Sequence, residues 1–196
     1  TPNGFEDDFV WNGREFDEKR AEARRAMIRT AEATLSCKFD GEPLIVGTSG
    51  RYEFRNKGID IFLDALKQLA ETDALDREVL VYITVPSATT GPRKDLQAHL
   101  ADENSPIDPK QNRFCTHYLE HPEWDQILNS IAGSVLANPS SKVKVVFVPT
   151  YLNGRDGIFD KSYYELLVGM DMTLFPSYYE PWGYTPLEST AFSVPT

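Results

Sequence analysis

Cysteine, histidine and positive charge are all scarce in this chain. Its 196 residues hold two cysteines and three histidines, and 20 Lys and Arg stand against 30 Asp and Glu, a formal net charge of -10. Cys37 and Cys115 have no metal-type spacing. They exclude a disulfide-built scaffold and leave reduced thiols of an intracellular protein, or at most one disulfide. The acid excess argues against nucleic acid and anionic membranes as partners. No apolar run approaches the ~20 residues that cross a bilayer, and no signal peptide is visible, so a cytoplasmic location is expected. The Walker order G-x-x-x-x-G-K-[ST], the dinucleotide fingerprint G-x-G-x-x-G and any D-x-D pair are missing. No Ser-His-Asp or Cys-His nucleophile has a local signature. His117 and His121 are four apart, but nothing completes a zinc site, and His99 stands alone. No metal and no other cofactor are therefore expected.

What is present is an ordinary globular composition, 41% hydrophobic and 26% charged, at the length of one domain. The chain opens on TPNG without an initiator Met and ends on Val194-Pro195-Thr196, where a further strand would begin. It is read as one truncated domain over 1–196, cut from something longer. Residues 1–16 form a linker. A helix from Asp17 to about Leu35 carries a thin apolar face (Phe16, Met27, Ile28, Leu35) and is expected to be peripheral, so 1–40 is linker plus peripheral helix.

Short apolar runs at Leu44–Val46, Val79–Val85, Val143–Val148 and Met172–Phe175 read as strands. Helical spacing follows at Ile59–Leu69 with Asn56 as N-cap, and also at Glu123–Leu136, Ser162–Met170 and Thr185–Phe192. Residues 87–122 read as a polar insertion with one short helix near Lys94–Leu100. Strand-helix alternation predicts an α/β fold with a doubly wound, Rossmann-like parallel sheet.

Two stretches carry chemistry. Gly47-Thr48-Ser49-Gly50 reads as a small-residue loop, and Arg51, Arg55 and Lys57 crowd the helix start after it. Cations are mildly unfavourable beside the positive end of a helix unless an anion sits there. Amides, dipole and cations together make a phosphate site; the plainer reading is a surface cation paired with Glu53 or Asp60. The second stretch is Phe175–Glu188, FPSYYEPWGYTPLE, a stiff aromatic loop between a strand end and a helix start. Thr185 suits the N-cap, Pro186 the first helical position and Glu188 a capping box. Glu180 has no comparable structural reason to be there. Paired carboxylates at 180 and 188 also leave open a hydrolytic acid/base pair.

GRYEFRNKG (Gly50–Gly58) and FPSYYEPWGYTPLE resemble the two donor-site motifs of eukaryotic-type glycogen synthases. TPNG, Cys115-Thr116-His117 and Val143–Gly154 are similar to that family as well, and the likeness is spread over most of the chain except 87–113. Glu180 and Glu188 with seven residues between them mark only the wider group of retaining GT-B glycosyltransferases. The resemblance implies the C-terminal half of a GT-B fold, in which a nucleotide sugar, UDP-glucose or ADP-glucose, is held without metal. By position, Arg51 and Lys57 would neutralise the diphosphate, and amides near Gly183, Tyr184 and Thr185 would bind its distal phosphate. Glu188 would hold the ribose, Tyr163 would stack on the base, and Glu180 would lie beside the glucose. A glucan acceptor would be bound through an N-terminal domain absent here, so the chain alone would be inactive. The stretch 87–113 is short where family members carry a helical insertion used in tetramer formation. A non-catalytic nucleotide-sugar sensor or scaffold is the second reading, and a two-carboxylate glycoside hydrolase the third.

Overall fold

The computed structural model describes residues 9–72 and 74–196. Four strands form one parallel sheet: β1 (Leu44–Ser49), β2 (Val79–Thr84), β5 (Val143–Phe147) and β6 (Met172–Thr173), in the order β5-β2-β1-β6. Between β2 and β5 a small antiparallel pair, β3 (Thr89–Pro92) and β4 (His117–Leu119), is set apart. A parallel sheet covered on both faces needs strands that are apolar on both sides, and every residue of β2 is buried. Alternation sends Val79, Val81 and Ile83 into one core with helices α2 (Ile59–Ala70) and α4 (Gln126–Ala132). Leu80 and Tyr82 face the opposite core, with α1 (Gly13–Leu35), α5 (Tyr163–Leu167) and Phe192 at the end of α6 (Tyr184–Ala191). The doubly wound architecture is thus as expected. No helix among the described residues is long and apolar enough to cross a membrane.

Helix α1 is not peripheral. Its buried face is Ala23, Met27, Thr30, Ala31, Ala33 and Thr34, and all of these but Met27 are too small or too polar to register as a hydrophobic stripe. Small side chains let the helix approach closely, and a Cβ on Gly169 would stand 2.8 Å from that of Ala23. Arg20 and Arg24 clamp the contact by donating to the carbonyls of Val168, Gly169 and Met170 and to the Asp171 carboxylate. Asp171 also accepts from the amide of Ile45 at 2.8 Å. Burial pushes its carboxyl up, but the bonds from Ile45 and Arg24 outweigh this and hold it below its usual range.

Other boundaries also move. Gly47, Thr48 and Ser49 belong to β1 and not to a loop, because β2 supplies a ladder partner at each of those positions. The helix expected over 123–136 is three pieces: a 3₁₀ turn Pro122–Trp124, α4, and a 3₁₀ turn Val135–Ala137. Asp125 caps α4, Gly133 ends it and Ser134 caps the next turn, which is ordinary punctuation for those residues. Trp124 is consequently exposed and not in the core. Helix α5 is shorter than expected, with Ser162 and Glu165 in a reciprocal capping box. The edge strand β6 is also short, since Pro176 has no N–H with which to continue the ladder.

The 87–122 segment is polar outside but anchored within. Helix α3 (Lys94–Ala101) forms where a short helix was expected and buries Leu96. Arg93 is buried, pairing with Asp95 and donating to the carbonyls of Asn112 and Cys115. His117 is also buried. Its Nε2 donates to the carbonyl of Asp156 at 3.0 Å, and its Nδ1 accepts from the Thr116 hydroxyl at 2.8 Å. Burial lowers its pKa below 6.5, with the bond to Asp156 opposing. A histidine that folds neutral must bind a proton on unfolding in acid, so stability is lost as pH falls through and below the unfolded pKa of 6.5. Thermal denaturation between pH 7.5 and 5.5 is expected to show a falling midpoint. His117→Gln, which can still donate and accept, should flatten that slope.

Candidate functional site

From β1 the chain steps outward to β2 and β5, then returns to the other side of β1 for β6. The crossovers on the two sides lead away from each other, so a crevice opens beyond the carboxyl ends of β1 and β6, where doubly wound sheets bind ligands. A cavity of about 240 Å³ lies at that place. Its walls are the end of β1 (Thr48, Ser49), the turn after it (Gly50, Arg51, Lys57) and the loop after β6 (Phe175, Ser177, Glu180, Tyr184, Thr185), with Ile59 and Val85 behind.

The turn from Arg51 to Gly58 is held at its apolar residues. Tyr52 and Phe54 pack against the core beneath, and the Tyr52 hydroxyl accepts from the amide of Ile127 at 3.2 Å. The amides of Lys57, Gly58 and Ile59 close the turn onto the carbonyls of Glu53, Arg55 and Phe54. Gly58, and not Asn56, is the N-cap of α2, with φ 64°. The Asn56 amide group is instead bonded to Glu53. Gly58 is also where the two loops meet. A Cβ there would stand 1.9 Å from the carbonyl oxygen of Pro176, and the amide of Tyr178 donates to the carbonyl of Asn56 at 3.0 Å.

On the other wall the Glu180 carboxylate forms an ion pair with the Lys57 ammonium. The Lys57 side chain is 15% exposed and that of Glu180 30%, so the pair is more sheltered than a surface bridge. Arg51 is different. Its side chain is 77% exposed and 3.1 Å from Glu53, which is the plainer of its two expected partners, and Arg55 is also exposed. Helix α6 begins earlier than the expected Thr185 cap, at Tyr184 behind an N-cap Gly183 with φ 78° and no side-chain cap. Left-handed glycine turns the chain so sharply that Thr185 is already helical and Pro186 becomes the third helical residue. The first-turn amides therefore have no capping side chain in the structure, and such amides point outward along the axis.

Glu188 makes no capping box. It lies one turn into α6 and accepts from the Tyr164 hydroxyl at 2.9 Å. Burial pushes its carboxyl up, with that bond opposing. Glu180 borders the cavity and Glu188 does not. Tyr163 also stands outside the cavity wall, but its hydroxyl is 2.8 Å from Ser49 Oγ on the rim, and burial pushes its pKa up. Thr48, Ser49, Ser177 and Phe175 border the cavity without having been singled out as site residues. Strand-end small polar residues were the available signal. Asp60, in the first turn of α2, has a buried carboxylate oxygen with no partner among the described residues. Among those residues no group of three or more His, Cys, Asp or Glu is placed to hold a metal ion.

Substituting Gly58 tests whether the backbone contact closes the site. Alanine would carry left-handed strain of about 1–2 kcal/mol and a collision with backbone that cannot swing aside. The expected result for Gly58→Ala is a melting point lower by at least about 4 °C. An unchanged melting point would show that the two loops do not depend on each other.

Comparison with known proteins agrees with the motifs. The family model for glycogen synthase matches residues 96–196. The glycogen [starch] synthase of Neurospora crassa is 30% identical over 81% of this chain and 30% of its own length. That of Caenorhabditis elegans is 28% identical over 76% of this chain and 30% of its own length. The human liver glycogen [starch] synthase is 29% identical over 78% and 29% respectively. The match therefore spans about three-tenths of the length of these relatives. With both loops of the crevice joined at the switch point and the family model matched over half of its residues, this chain belongs to the glycogen synthase family.

Proposed function

We propose that the crevice binds the donor of a retaining glucosyltransferase, UDP-glucose or ADP-glucose, in a parent enzyme that elongates an α-1,4-glucan. The observation that carries this is the joining of Arg51–Gly58 to Phe175–Thr185 at the switch point of the sheet. In a chain of net charge -10, Lys57 borders this cavity, close to a helix start that lacks a side-chain cap. A nucleoside diphosphate supplies the negative charge that such a place favours.

In this reading Lys57 and Arg51 neutralise the diphosphate, and amides of Gly183, Tyr184 and Thr185 bind its distal phosphate. Lys57 exchanges part of its contact with Glu180 for the ligand. Arg51, held only by an exposed pair worth well under about 1 kcal/mol, can swing in from the rim. Glu188, half-buried behind Tyr164, takes the ribose hydroxyls. Tyr163, fixed through Ser49, takes the base, and stacking there tolerates either uracil or adenine. Glu180, once released, lies beside the glucose. As the bond to the leaving diphosphate breaks, negative charge grows on the phosphate, and cations and amides already in place stabilise it without reorganising. Groups of this kind typically contribute about 10²–10³ in rate each. No metal is needed for that stabilisation. The acceptor is held by a part of the parent outside 1–196, so this chain alone should transfer no glucose.

Calorimetric titration with UDP, ADP and their glucose conjugates is the direct test. Binding is expected, weakened at least tenfold in Lys57→Ala and less in Arg51→Ala, with the same melting point within a few degrees. Equal affinity in wild type and both variants would remove the phosphate assignment, and measurable glucosyl transfer by 1–196 would remove the claim of inactivity.

A further inference from the structure

Two adjacent tyrosines open helix α5 and bond in different directions. Tyr163 reaches Ser49 on β1, at the rim of the donor crevice, while Tyr164 reaches across to α6. There its hydroxyl donates to Oε1 of Glu188 at 2.9 Å. Among the described residues no donor reaches Oε2 of that carboxylate, and no Lys, Arg or His forms an ion pair with it. Burial first and the bond to Glu188 second push the Tyr164 hydroxyl up to about 12, so it stays protonated and remains the donor. The ring is fixed as well. It stacks on the fully buried Phe192 at 5.1 Å and 16°, and packs against Tyr163 at 5.5 Å. The amide of Phe192 in turn donates to the Glu188 carbonyl, so the stacking ring and the acid share one helical turn.

Tyr184 and Thr185 border the crevice, and Glu188 stands one turn on from them, on the same face of α6. Side chains lean toward the N-terminus of their helix, and that end of α6 is the end at the crevice. A free glutamate would sample several rotamers from this position. A hydroxyl on Oε1 selects among them and leaves Oε2 with both lone pairs to accept. An ionised carboxylate only accepts, so the group it suits there is a pair of neighbouring hydroxyls, as on a ribose. We infer that Tyr164 is a positioning residue: it holds Glu188 with Oε2 open to the vicinal hydroxyls of the donor nucleotide, and so makes the crevice select ribonucleoside over deoxyribonucleoside diphosphates. The inference rests on the donor reading for its ligand. Tyr164 itself touches no ligand and acts only through Glu188.

Calorimetric titration of the 1–196 chain with UDP and ADP, each beside its 2′,3′-dideoxy form, tests it. For the nucleotide that binds, the dideoxy form is expected to bind at least about tenfold more weakly, since it leaves a charged acceptor unpaired. Tyr164→Phe keeps the stacked ring and should melt within a few degrees of wild type. It should weaken the ribonucleotide about fivefold, in the range for ordering one long side chain on binding, and leave the dideoxy form unchanged. In a Glu188→Ala background, adding Tyr164→Phe should alter neither affinity, because both changes remove the same contact. The inference is overturned if wild type shows no preference for the ribonucleotide. It is also overturned if Tyr164→Phe leaves the ribo-to-dideoxy ratio as it was, whether both affinities hold or both fall equally; the donor reading then stands, with Tyr164 serving the fold alone. Failure of wild type to bind either diphosphate would remove the donor reading and this inference with it.

Discussion

Gly58 and Pro176 follow the neighbouring strands β1 and β6, lie more than a hundred residues apart in sequence, and touch through their backbones. No side chain fits between them. The contact is possible because residue 58 is in the left-handed conformation, which brings the start of α2 flush against the loop after β6. Beside it the amide of Tyr178 donates to the carbonyl of Asn56. Once these bonds form, Lys57 and Glu180 have little choice but to meet. The crevice is therefore built from backbone first, and its charges are positioned by that backbone.

This order of construction explains an otherwise awkward electrostatic arrangement. A lysine at a helix start and a carboxylate in a stiff proline-flanked loop are each unfavourable alone. Together they neutralise one another and stay partly sheltered from water. Tyr52 and Phe54 contribute from below by holding the turn to the core.

Much of the fold was legible. β-Branched runs with helical spacing between them predicted a parallel, doubly wound sheet, because strands buried on both faces must be apolar throughout. The likeness of two loops to a family identified the crevice. Illegible features share a cause. Helix α1 packs through alanines and a facing glycine, which carry no hydrophobic stripe. The segment at 123–136 has a helical pattern of apolar residues, yet Asp125, Gly133 and Ser134 cut it into capped pieces. At the start of α6, Thr185, Pro186 and Glu188 satisfy a capping pattern that Gly183 pre-empts by turning the chain two residues sooner.

Local residue chemistry determined which segments are strands and helices, which loops hold cations and carboxylates, and to which family the chain belongs. These properties depend on a few neighbours in sequence, and so they can be read from it. Tertiary structure alone decided which groups share the crevice. It joined Lys57 to Glu180, set Glu188 behind Tyr164, left Arg51 on the rim with Glu53, and brought Trp124 and Asp125 beside Tyr52. Those pairings follow from strand order and from a backbone contact across more than a hundred residues, and no local pattern encodes either.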